Sequence, residues 1–552
     1  MITNALEMRH FYKALLFILV LTGMACSDEI VVYEDGLKTE LYVETNSVAL
    51  KSAISYEKSG VLKLQPAEMA MASDGTAKAG DYPLTLIATV NPPAFPGSDP
   101  LTATHAYLDG NNIYVSYNRA GEIYQGALDV VDISDPNVPR VRSRLFYSNA
   151  DINSLAVSGG YIYAVGAINA ETSDIATFNS FIARISVSNG VLETDGIIYG
   201  FQQGFNATDV LIDGSRVVVA SGKEGAVASY DTSDLSMVNE IFITDARSLT
   251  HWLDGYAILD GGSGVRVLNS SLVETNLIAI GTDLGANSKK ILDTWQTHIL
   301  VPEADQGVGI YEGATGTLIQ YVSIPSIPTG IPAGDAVTNA VSVNDDLLFM
   351  ANGGAGLTLA EMLASTITTA GTLNLDGSVN YVTSEGDYAF VASGADGLQI
   401  IKLNRAPKTL VNACSGLPPY DGSSVLNVGS AEALNFQGGK QLDIIDIEGF
   451  LLLCGSWTVT ERVNIAPGGV LRLFGTLAIG SNQDRGSLTV GSGSLLQIEG
   501  NVTIYGDLIM EDGARVEFLG DSSVIDIFGN VSAGREATVS GKFRDVRQKL
   551  GD

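Results

Sequence analysis

The chain has 552 residues, of which 45% are hydrophobic and 61 are glycine, and its formal net charge at pH 7 is −31. A chain of this length can form two or three domains. So acidic a protein repels nucleic acid and anionic lipid headgroups, which argues against a nucleic-acid partner. High solubility explains the charge, and cation binding by the carboxylates is the alternative.

The N-terminal segment has the pattern of an exported protein. Two basic residues precede a short apolar run at 14–21, which is too short to span a membrane comfortably. The run leads into Leu21-Thr-Gly-Met-Ala-Cys26, which resembles a bacterial lipobox. The resemblance implies that residues 1–25 are a lipoprotein signal peptide and that Cys26 is acylated, which gives the protein a membrane partner through its lipid anchor. An ordinary cleaved signal peptide is the alternative.

The residues after Cys26 suggest a location. Ser27-Asp28-Glu29 resembles the surface-export signal of Bacteroidetes lipoproteins. We therefore expect the protein at the outer membrane, exposed on the cell surface, with the periplasmic face as the alternative. Residues 26–81 are expected to be a tether with some β structure, or a strand extension packed on the next domain.

A short unit then recurs along the chain. It consists of a turn of small residues, one glycine and an alternating apolar strand, as in Ala392-Ser-Gly-Ala-Asp-Gly-Leu-Gln-Ile-Ile-Lys402. Two strands joined by an Asp, Gly or Asn turn precede each copy. The copies are centred on seven positions, Gly126, Ser180, Gly225, Gly264, Gly307, Gly356 and Gly397. Short strands repeating in this way indicate an all-β fold that begins with a seven-bladed β-propeller.

The ends of this repeat region suggest how the ring closes. The last unit lacks a fourth strand, and an isolated strand at 82–91 precedes the first unit. We therefore expect the propeller to occupy residues 82–404 and strand 82–91 to complete the seventh blade, which protects the sheet edges. A count of six or eight blades would follow if a diverged unit were misassigned.

One unit carries a family resemblance. The segment Gly126-Ala-Leu-Asp-Val-Val-Asp-Ile-Ser-Asp-Pro-Asn-Val-Pro139 resembles the LVIVD repeat, and Gly397-Leu-Gln-Ile-Ile401 keeps the first half of that pattern. The other units share only the key position and the strand. The resemblance implies a β-propeller of a kind found in bacterial surface and secreted proteins, and it implies no particular chemistry.

A second repeat follows an expected linker at 405–440. Four segments with a central glycine align on Gly455, Gly475, Gly500 and Gly529. Alternation places Leu451, Leu453, Trp457 and Val459 on one face of their segment. Stacked short strands of this kind indicate a C-terminal parallel β-helix or β-solenoid at 441–552, with a β-sandwich as the alternative.

Two cysteines remain after Cys26. In an oxidising compartment Cys414 and Cys454 can form one disulfide, or they can be two independent small apolar residues. The alternation turns Cys454 away from the solenoid core, where it could meet Cys414 in the linker. Such a bond would tie the solenoid to the propeller boundary.

The sequence indicates no catalytic residue, no metal ligand set and no cofactor motif. The three histidines beyond the signal peptide fall in different blades, and the chain has no G-x-S-x-G, phosphate-loop or calcium-loop pattern. The positions before the key glycines vary, and Glu224, Gln306 and Asp396 are the candidate binding residues of a propeller rim. Six aromatic residues are candidates for stacking on sugars or for blade packing: Tyr114, Tyr117, Tyr161, Tyr163, Trp252 and Trp295.

The sequence therefore predicts a surface-anchored, non-enzymatic binding or adhesion lipoprotein that recognises a glycan or protein ligand through the propeller. The alternative is an extracellular hydrolase or lyase that acts on a polysaccharide or another polymer.

Overall fold

The computed structural model describes residues 41–67, 77–285, 289–325, 327–363, 366–405 and 414–550. Within these residues the chain forms seven antiparallel sheets arranged as propeller blades and then one parallel sheet wound as a solenoid. The predicted fold class is confirmed. The signal peptide and Cys26 lie outside the described residues.

Each blade is built from four antiparallel strands, which follow chain order in blades 1 to 6. The strands of blades 1 to 3 are Thr102–Asp109, Asn112–Asn118, Gly126–Asp132 and Arg140–Tyr147; Ala150–Ser158, Tyr161–Ile168, Ser180–Ser188 and Ile198–Gln202; and Asp209–Asp213, Arg216–Ala220, Ala226–Asp231 and Met237–Phe242. A two-residue strand, Val191–Leu192, pairs with the third strand of blade 2. The first strands of neighbouring blades lie side by side around the centre of the ring.

Blades 4 to 7 repeat this plan. Their strands are Asp245–Trp252, Gly255–Asp260, Gly264–Asn269 and Glu274–Ala279; Asp293–Trp295, His298–Pro302, Val308–Glu312 and Leu318–Val322; Ala340–Asn344, Leu347–Ala351, Leu357–Leu363 and Thr366–Leu373; and Tyr381–Glu385, Tyr388–Ala392, Leu398–Lys402 and Leu84–Val90. The fourth strand of blade 7 thus comes from the N-terminal side of the ring, where Leu398 pairs with Val90 and Lys402 with Thr85.

In blades 4 to 7 the recurring glycine is required by backbone contact within the blade. A Cβ atom on Gly397 would lie 2.1 Å from the carbonyl oxygen of Val90, and one on Gly356 would lie 2.2 Å from that of Leu373. Both glycines also have a positive φ, which residues with a Cβ atom rarely adopt. The glycine therefore lets the third strand begin against the backbone of the fourth.

The turns beside these glycines also join each blade to the next. Ala304 in the blade 5 turn pairs with Thr338, and Gly353 in the blade 6 turn pairs with Val379. The same contact closes the ring, because the amide of Ala103 donates to the carbonyl of Gly394 at 2.8 Å. The repeated unit is thus both a strand turn and an inter-blade connection.

The N-terminal segment lies along the outer edges of three blades. Strand Leu41–Glu44 pairs with the outer strand of blade 1, strands Ile54–Ser55 and Gly60–Leu62 pair with that of blade 7, and Gln65–Pro66 pairs with that of blade 6. A short helix, Ser47–Ser52, is capped by the side chain of Asn46. In the described part of the 26–81 region, the chain is therefore a strand extension packed on the propeller.

The solenoid stacks parallel strands coil on coil. They are Val425–Val428, Ala433–Ile447, Phe450–Ile465, Val470–Ile479, Ser487–Val490, Leu495–Ile504, Leu508–Met510, Arg515–Ile527, Val531–Ala533 and Thr538–Asp545. The first two begin inside the 405–440 segment that was expected to be a linker. Leu451, Leu453, Trp457 and Val459 are fully buried in one core between the coil walls.

A ladder of glycines forms one corner of the solenoid. Gly438, Gly455, Gly475 and Gly500 stack in register, all with positive φ. A Cβ atom on Gly475 would lie 2.0 Å from the carbonyl oxygen of Gly455, so each coil approaches the next too closely for a side chain. The sequence alignment identified three members of the ladder and missed Gly438.

The fourth aligned segment of the sequence repeat was wrong in register. The alignment matched Leu496 with Ile525. In the structure Leu496 pairs with Val516, and Ile525 pairs with Val502. The amide of Gly529 donates to the carbonyl of Gly506, not to the ladder. The reason is that the coil Arg515–Ile527 carries extra residues between Phe518 and Val524, which shifts the spacing at that corner.

Cys414 and Cys454 are joined by a disulfide bond, with their Cα atoms 5.9 Å apart. Both cysteines pack with Leu452 in a small cluster outside the main solenoid core. The contact of Gly60 with Ser481 adds a backbone connection between the segment on blade 7 and the solenoid.

Candidate functional site

The propeller has one face on which all the turns between second and third strands lie, and we call it the turn face. These turns bond to the connections that lead into the next blade, as Ala304 does to Thr338. Glu224, Gln306 and Asp396 lie on this face in blades 3, 5 and 7. They belong to different blades, and each has different surroundings.

Glu224 and Asp396 are engaged locally. Glu224 has φ +52°, its amide donates to the carbonyl of Thr244, and its carbonyl accepts from Gln203. Asp396 forms an ion pair at 3.4 Å with Lys58, which also contacts Asp376 at 2.9 Å. The N-terminal segment therefore occupies the position that the sequence left open beside Asp396.

Gln306 lines a cavity with a volume of about 790 Å³. The cavity lies between three loops: the connection from blade 4 to blade 5, the blade 5 turn, and the connection from blade 5 to blade 6. Its polar side chains are Thr282, Asp283, Asp305 and Gln306, and its apolar ones are Leu284, Ala304, Ala333 and Val337.

Buried groups hold the floor and one wall of this cavity. Thr282 donates at 2.5 Å to Glu303, a fully buried carboxylate that also accepts from the hydroxyls of Tyr311 at 2.6 Å and Tyr321 at 3.1 Å. The guanidinium of Arg247 donates to the carbonyls of Leu284 and Gly285 in the wall. The loops that carry the cavity carboxylates are thus held by hydrogen bonds to the buried side chains of Glu303 and Arg247.

The cavity favours a ligand that donates hydrogen bonds. Asp283 and Asp305 are exposed acceptors, and the amide of Gln306 can donate or accept, although it now contacts Oδ1 of Asp305 at 3.2 Å. Two carboxylates disfavour an anionic ligand and favour a cationic or hydroxyl-rich one. The small apolar side chains leave room for the carbon faces of such a ligand.

The centre of the ring is filled by a polar network around Lys289. Its ammonium group donates to the carbonyls of Thr104 at 3.0 Å and Asn153 at 2.7 Å, in blades 1 and 2. It is attracted to the buried carboxylate of Asp209, and it lies 5.7 Å from the ring centre of Tyr381. One lysine therefore contacts groups of four blades across the channel.

Burial changes the proton affinity of this network. Burial lowers the pKa of Lys289 to about 8, although Asp209 opposes the shift. Burial and the positive charge of Lys289 hold the pKa of His105 well below its ordinary value, so that His105 is neutral against Tyr381. Burial also raises the pKa of Asp209, with Lys289 as the largest opposing influence.

Most other candidates from the sequence serve the fold. Tyr114, Tyr117, Tyr163 and Trp252 are buried in blade cores and cannot stack on a sugar. His105, His251 and His298 lie in blades 1, 4 and 5, as predicted.

The first Asp of the LVIVD-like segment also has a structural role. Asp129 is fully buried, binds Arg144 at 2.6 Å and accepts from the hydroxyl of Tyr117 at 2.9 Å. The buried carboxyl of Asp151 holds the two ends of a loop in blade 1. Burial raises the pKa of Asp151 to about 7 while its oxygen accepts from the amides of Arg119 and Gln125.

Sequence reasoning missed Asp283 as a cavity residue and Lys289 as a channel residue. Neither belongs to the repeated unit, since both lie in the connection between blades 4 and 5. A signal was present, because the adjacent pair Lys289-Lys290 is unusual in so acidic a chain.

Among the described residues, no group of three or more His, Cys, Asp or Glu side chains is arranged to hold a metal ion. In the same part of the chain, no helix has the length and apolar character needed to cross a membrane.

No protein-family model matches the chain, and no curated protein matches it. Among solved structures it is similar to the crystal structure of the RRP9 WD40 repeats, at 12% identity and a TM-score of 0.43, over 62% of this chain and all of that chain. It is also similar to the structure of U3-55K, at 11% identity and a TM-score of 0.41, over 55% of this chain and 97% of that chain. Similarity at this level of identity concerns the fold alone.

Proposed function

We propose that the protein is a surface-anchored, non-enzymatic binding or adhesion lipoprotein that recognises its ligand on the turn face of the propeller. The observation that carries the proposal is the cavity of about 790 Å³ between blades 4, 5 and 6, with Asp283, Asp305 and Gln306 in its walls. Concave sites with a few convergent polar groups are where proteins bind ligands. The acceptor-rich walls favour a neutral or amino-substituted glycan, or a basic side chain of a protein ligand.

The anchor and the location rest on the N-terminal sequence. The lipobox-like segment ending at Cys26 supports acylation, and the acidic residues after it support export to the cell surface. The pattern from Gly126 to Pro139 supports placing the propeller with LVIVD-repeat proteins. Metabolic labelling with a fatty acid tests the anchor, because Cys26→Ser should abolish incorporation.

Location is tested on intact cells. A protease or an antibody added outside the cell should reach the native protein, and disruption of the outer membrane should not be required. Protection of the protein until the outer membrane is opened would contradict surface exposure and leave the periplasmic face.

Ligand recognition is tested with the chain from Ser27 onward on arrays of glycans and extracellular matrix proteins. Asp283→Asn with Asp305→Asn should weaken binding of any array ligand by about tenfold or more, which corresponds to the loss of one or two charge-assisted hydrogen bonds. Asp254→Asn, at a turn between first and second strands, is the matched control. Equal binding by both variants would refute a role for the cavity.

An extracellular hydrolase or lyase is the alternative. The observation in its favour is that two carboxylates, Asp283 and Asp305, line the same cavity, as acid–base catalysis on a polymer requires. Shortening of a bound polysaccharide during incubation, lost in the Asp283→Asn and Asp305→Asn variants, would establish it.

A further inference from the structure

Four large apolar side chains protrude from loops of blades 1, 2 and 3 on the turn face. Ile123 is 61% exposed, Ile175 57%, Phe178 46% and Phe205 53%. Their loops belong to consecutive blades that meet on this face, because Asn153 of blade 2 contacts Asn118 of blade 1 and Asn206 of the connection into blade 3. We call these four residues the apolar patch.

The loops of the apolar patch are anchored to the propeller. Asp151 accepts from the amides at both ends of the loop that carries Ile123. Ser173 accepts from the amides of Ile175 and Ala176.

The amide of Phe205 donates to the carbonyl of Lys223 in the blade 3 turn, and its neighbour Asn206 contacts Asn153 of blade 2. The loops of Ile123 and Phe205 thus contact neighbouring blades, and the loop of Ile175 and Phe178 is held by hydrogen bonds within itself.

The charges around the apolar patch are mostly negative. Glu122, Glu171, Asp174 and Glu224 are exposed on the same loops or on the adjoining blade 3 turn. The same loops hold two basic residues, Arg119 and Lys223, so the surroundings are net acidic. A negative rim around apolar residues complements a partner that is apolar and positively charged, and it repels an anionic membrane.

We propose that the apolar patch is a docking surface for a polypeptide segment that carries both basic and large apolar side chains. The apolar side chains of the segment pack on Phe178 and Phe205, and its basic residues face the surrounding carboxylates. A sugar is less well suited, because the patch itself offers carbon surface and the acceptors lie at its rim. The docking surface lies on blades 1 to 3, whereas the cavity lies between blades 4 and 6, and it extends the binding function proposed above to a second place on the turn face.

The test measures binding of a short synthetic peptide of alternating lysine and leucine to the chain from Ser27 onward by calorimetry at physiological salt. Two companion peptides replace every leucine with serine or every lysine with glutamate. The lysine–leucine peptide should bind, and both companions should bind at least about tenfold more weakly. A glycan array and vesicles of anionic lipid test the other occupants, and preferential binding of either through the patch would overturn the proposal.

The variant Phe178→Ser with Phe205→Ser should weaken binding of the lysine–leucine peptide by about tenfold or more. The matched control is Leu253→Ser, which removes an apolar side chain that is 84% exposed in a turn between first and second strands of blade 4, away from the turn face. Circular dichroism and thermal unfolding confirm that both proteins are folded. Unchanged binding by the double variant, or equal loss in the control, would overturn the proposal.

The cavity variant distinguishes binding at the cavity from binding at the apolar patch. Asp283→Asn with Asp305→Asn should leave binding of the lysine–leucine peptide within about twofold, while it weakens binding of the cavity ligand. Loss of array binding in the cavity variant together with unchanged peptide binding in the patch variant would refute the docking surface and leave the proposed function standing. Peptide binding through the patch, together with no array ligand for the cavity, would support the docking surface and refute the cavity as the binding site.

Discussion

Lys290 is fully buried in the propeller beside a second cation, and its replacement should stabilise the protein. The partners of its ammonium group are neutral oxygens, the carbonyl of Lys289 at 3.3 Å and Oδ1 of Asn339 at 3.2 Å. Burial, and then the positive charge of Arg247, lower the pKa of Lys290 from 10.5 to about 7. A methionine has a similar length and carries no charge, so Lys290→Met removes the cost of burying the ammonium group.

The expected change in the free energy of unfolding follows from the shift in the pKa of Lys290. Each unit of pKa corresponds to about 1.4 kcal/mol, so burying the lysine costs roughly 4 kcal/mol at neutral pH. The substitution also leaves two buried oxygens without their donor, at a cost of about 2 kcal/mol in total. Lys290→Met should therefore raise the free energy of unfolding by about 2 kcal/mol at pH 7.

The contribution of Lys290 to the stability of the protein depends on pH. The unfolded chain keeps the proton on Lys290 up to about pH 10.5, whereas the folded chain releases it near pH 7. Between these values the unfolded state binds more protons, so this residue makes the native protein more stable as pH rises, by at most about 1.4 kcal/mol per pH unit. The advantage of Lys290→Met should be largest at pH 6 and should vanish near pH 9.

The assay is urea unfolding at a series of pH values, followed by tryptophan fluorescence, to which Trp252 and Trp295 in blades 4 and 5 contribute together with Trp457 in the solenoid. Lys289→Met is the control at the adjacent position. The burial cost that it removes is smaller, because the pKa of Lys289 falls only to about 8. Lys289→Met also removes two hydrogen bonds to carbonyl oxygens and the cation that attracts Asp209, so it should not stabilise the propeller at pH 7. A Lys290→Met protein that is less stable than the native one at pH 6, or a difference that does not change with pH, would refute this reasoning.

Two further predictions concern the solenoid. Gly475→Ala should lower the free energy of unfolding by about 3–5 kcal/mol, because the new methyl group would overlap the carbonyl of Gly455. The control is Gly468→Ala, where φ is also positive but no atom lies within 4 Å, and it should cost about 1 kcal/mol. Equal thermal unfolding temperatures of the two variants would contradict the close approach of the coils at the glycine ladder. Removal of the cross-link between Cys414 and Cys454, which are 40 positions apart, should cost about 3 kcal/mol. Dithiothreitol should lower the unfolding temperature of the native chain and leave that of a variant with serine at both positions unchanged; an equal effect on both would argue against the bond.

The chain's own repeats determined most of the fold. A glycine followed by an alternating strand, repeated at blade-sized intervals, specifies a unit that cannot bury its faces alone, so the units must stack around a ring. The last blade lacks a fourth strand after Lys402, and a spare strand precedes Thr102. The simplest arrangement uses the spare strand to complete the last blade, and the structure has this pairing between Leu398 and Val90. The glycine ladder was visible for the same reason, since the backbone approach at Gly475 excludes every other residue.

Only the tertiary structure decided where side chains from different blades meet. Gln306 was identified from its place before a key glycine, but Asp283, which shares its cavity, is separated from it by the first two strands of blade 5. Asp396 looked equally open in the sequence, and Lys58 from the N-terminal segment pairs with it. Lys289 reaches groups in blades 1, 2, 3 and 7, and no local pattern records such a contact. Repeats encode the contacts that recur from blade to blade, whereas the cavity, the channel network and the apolar patch are formed by connections that differ, and their chemistry exists only once the ring has closed.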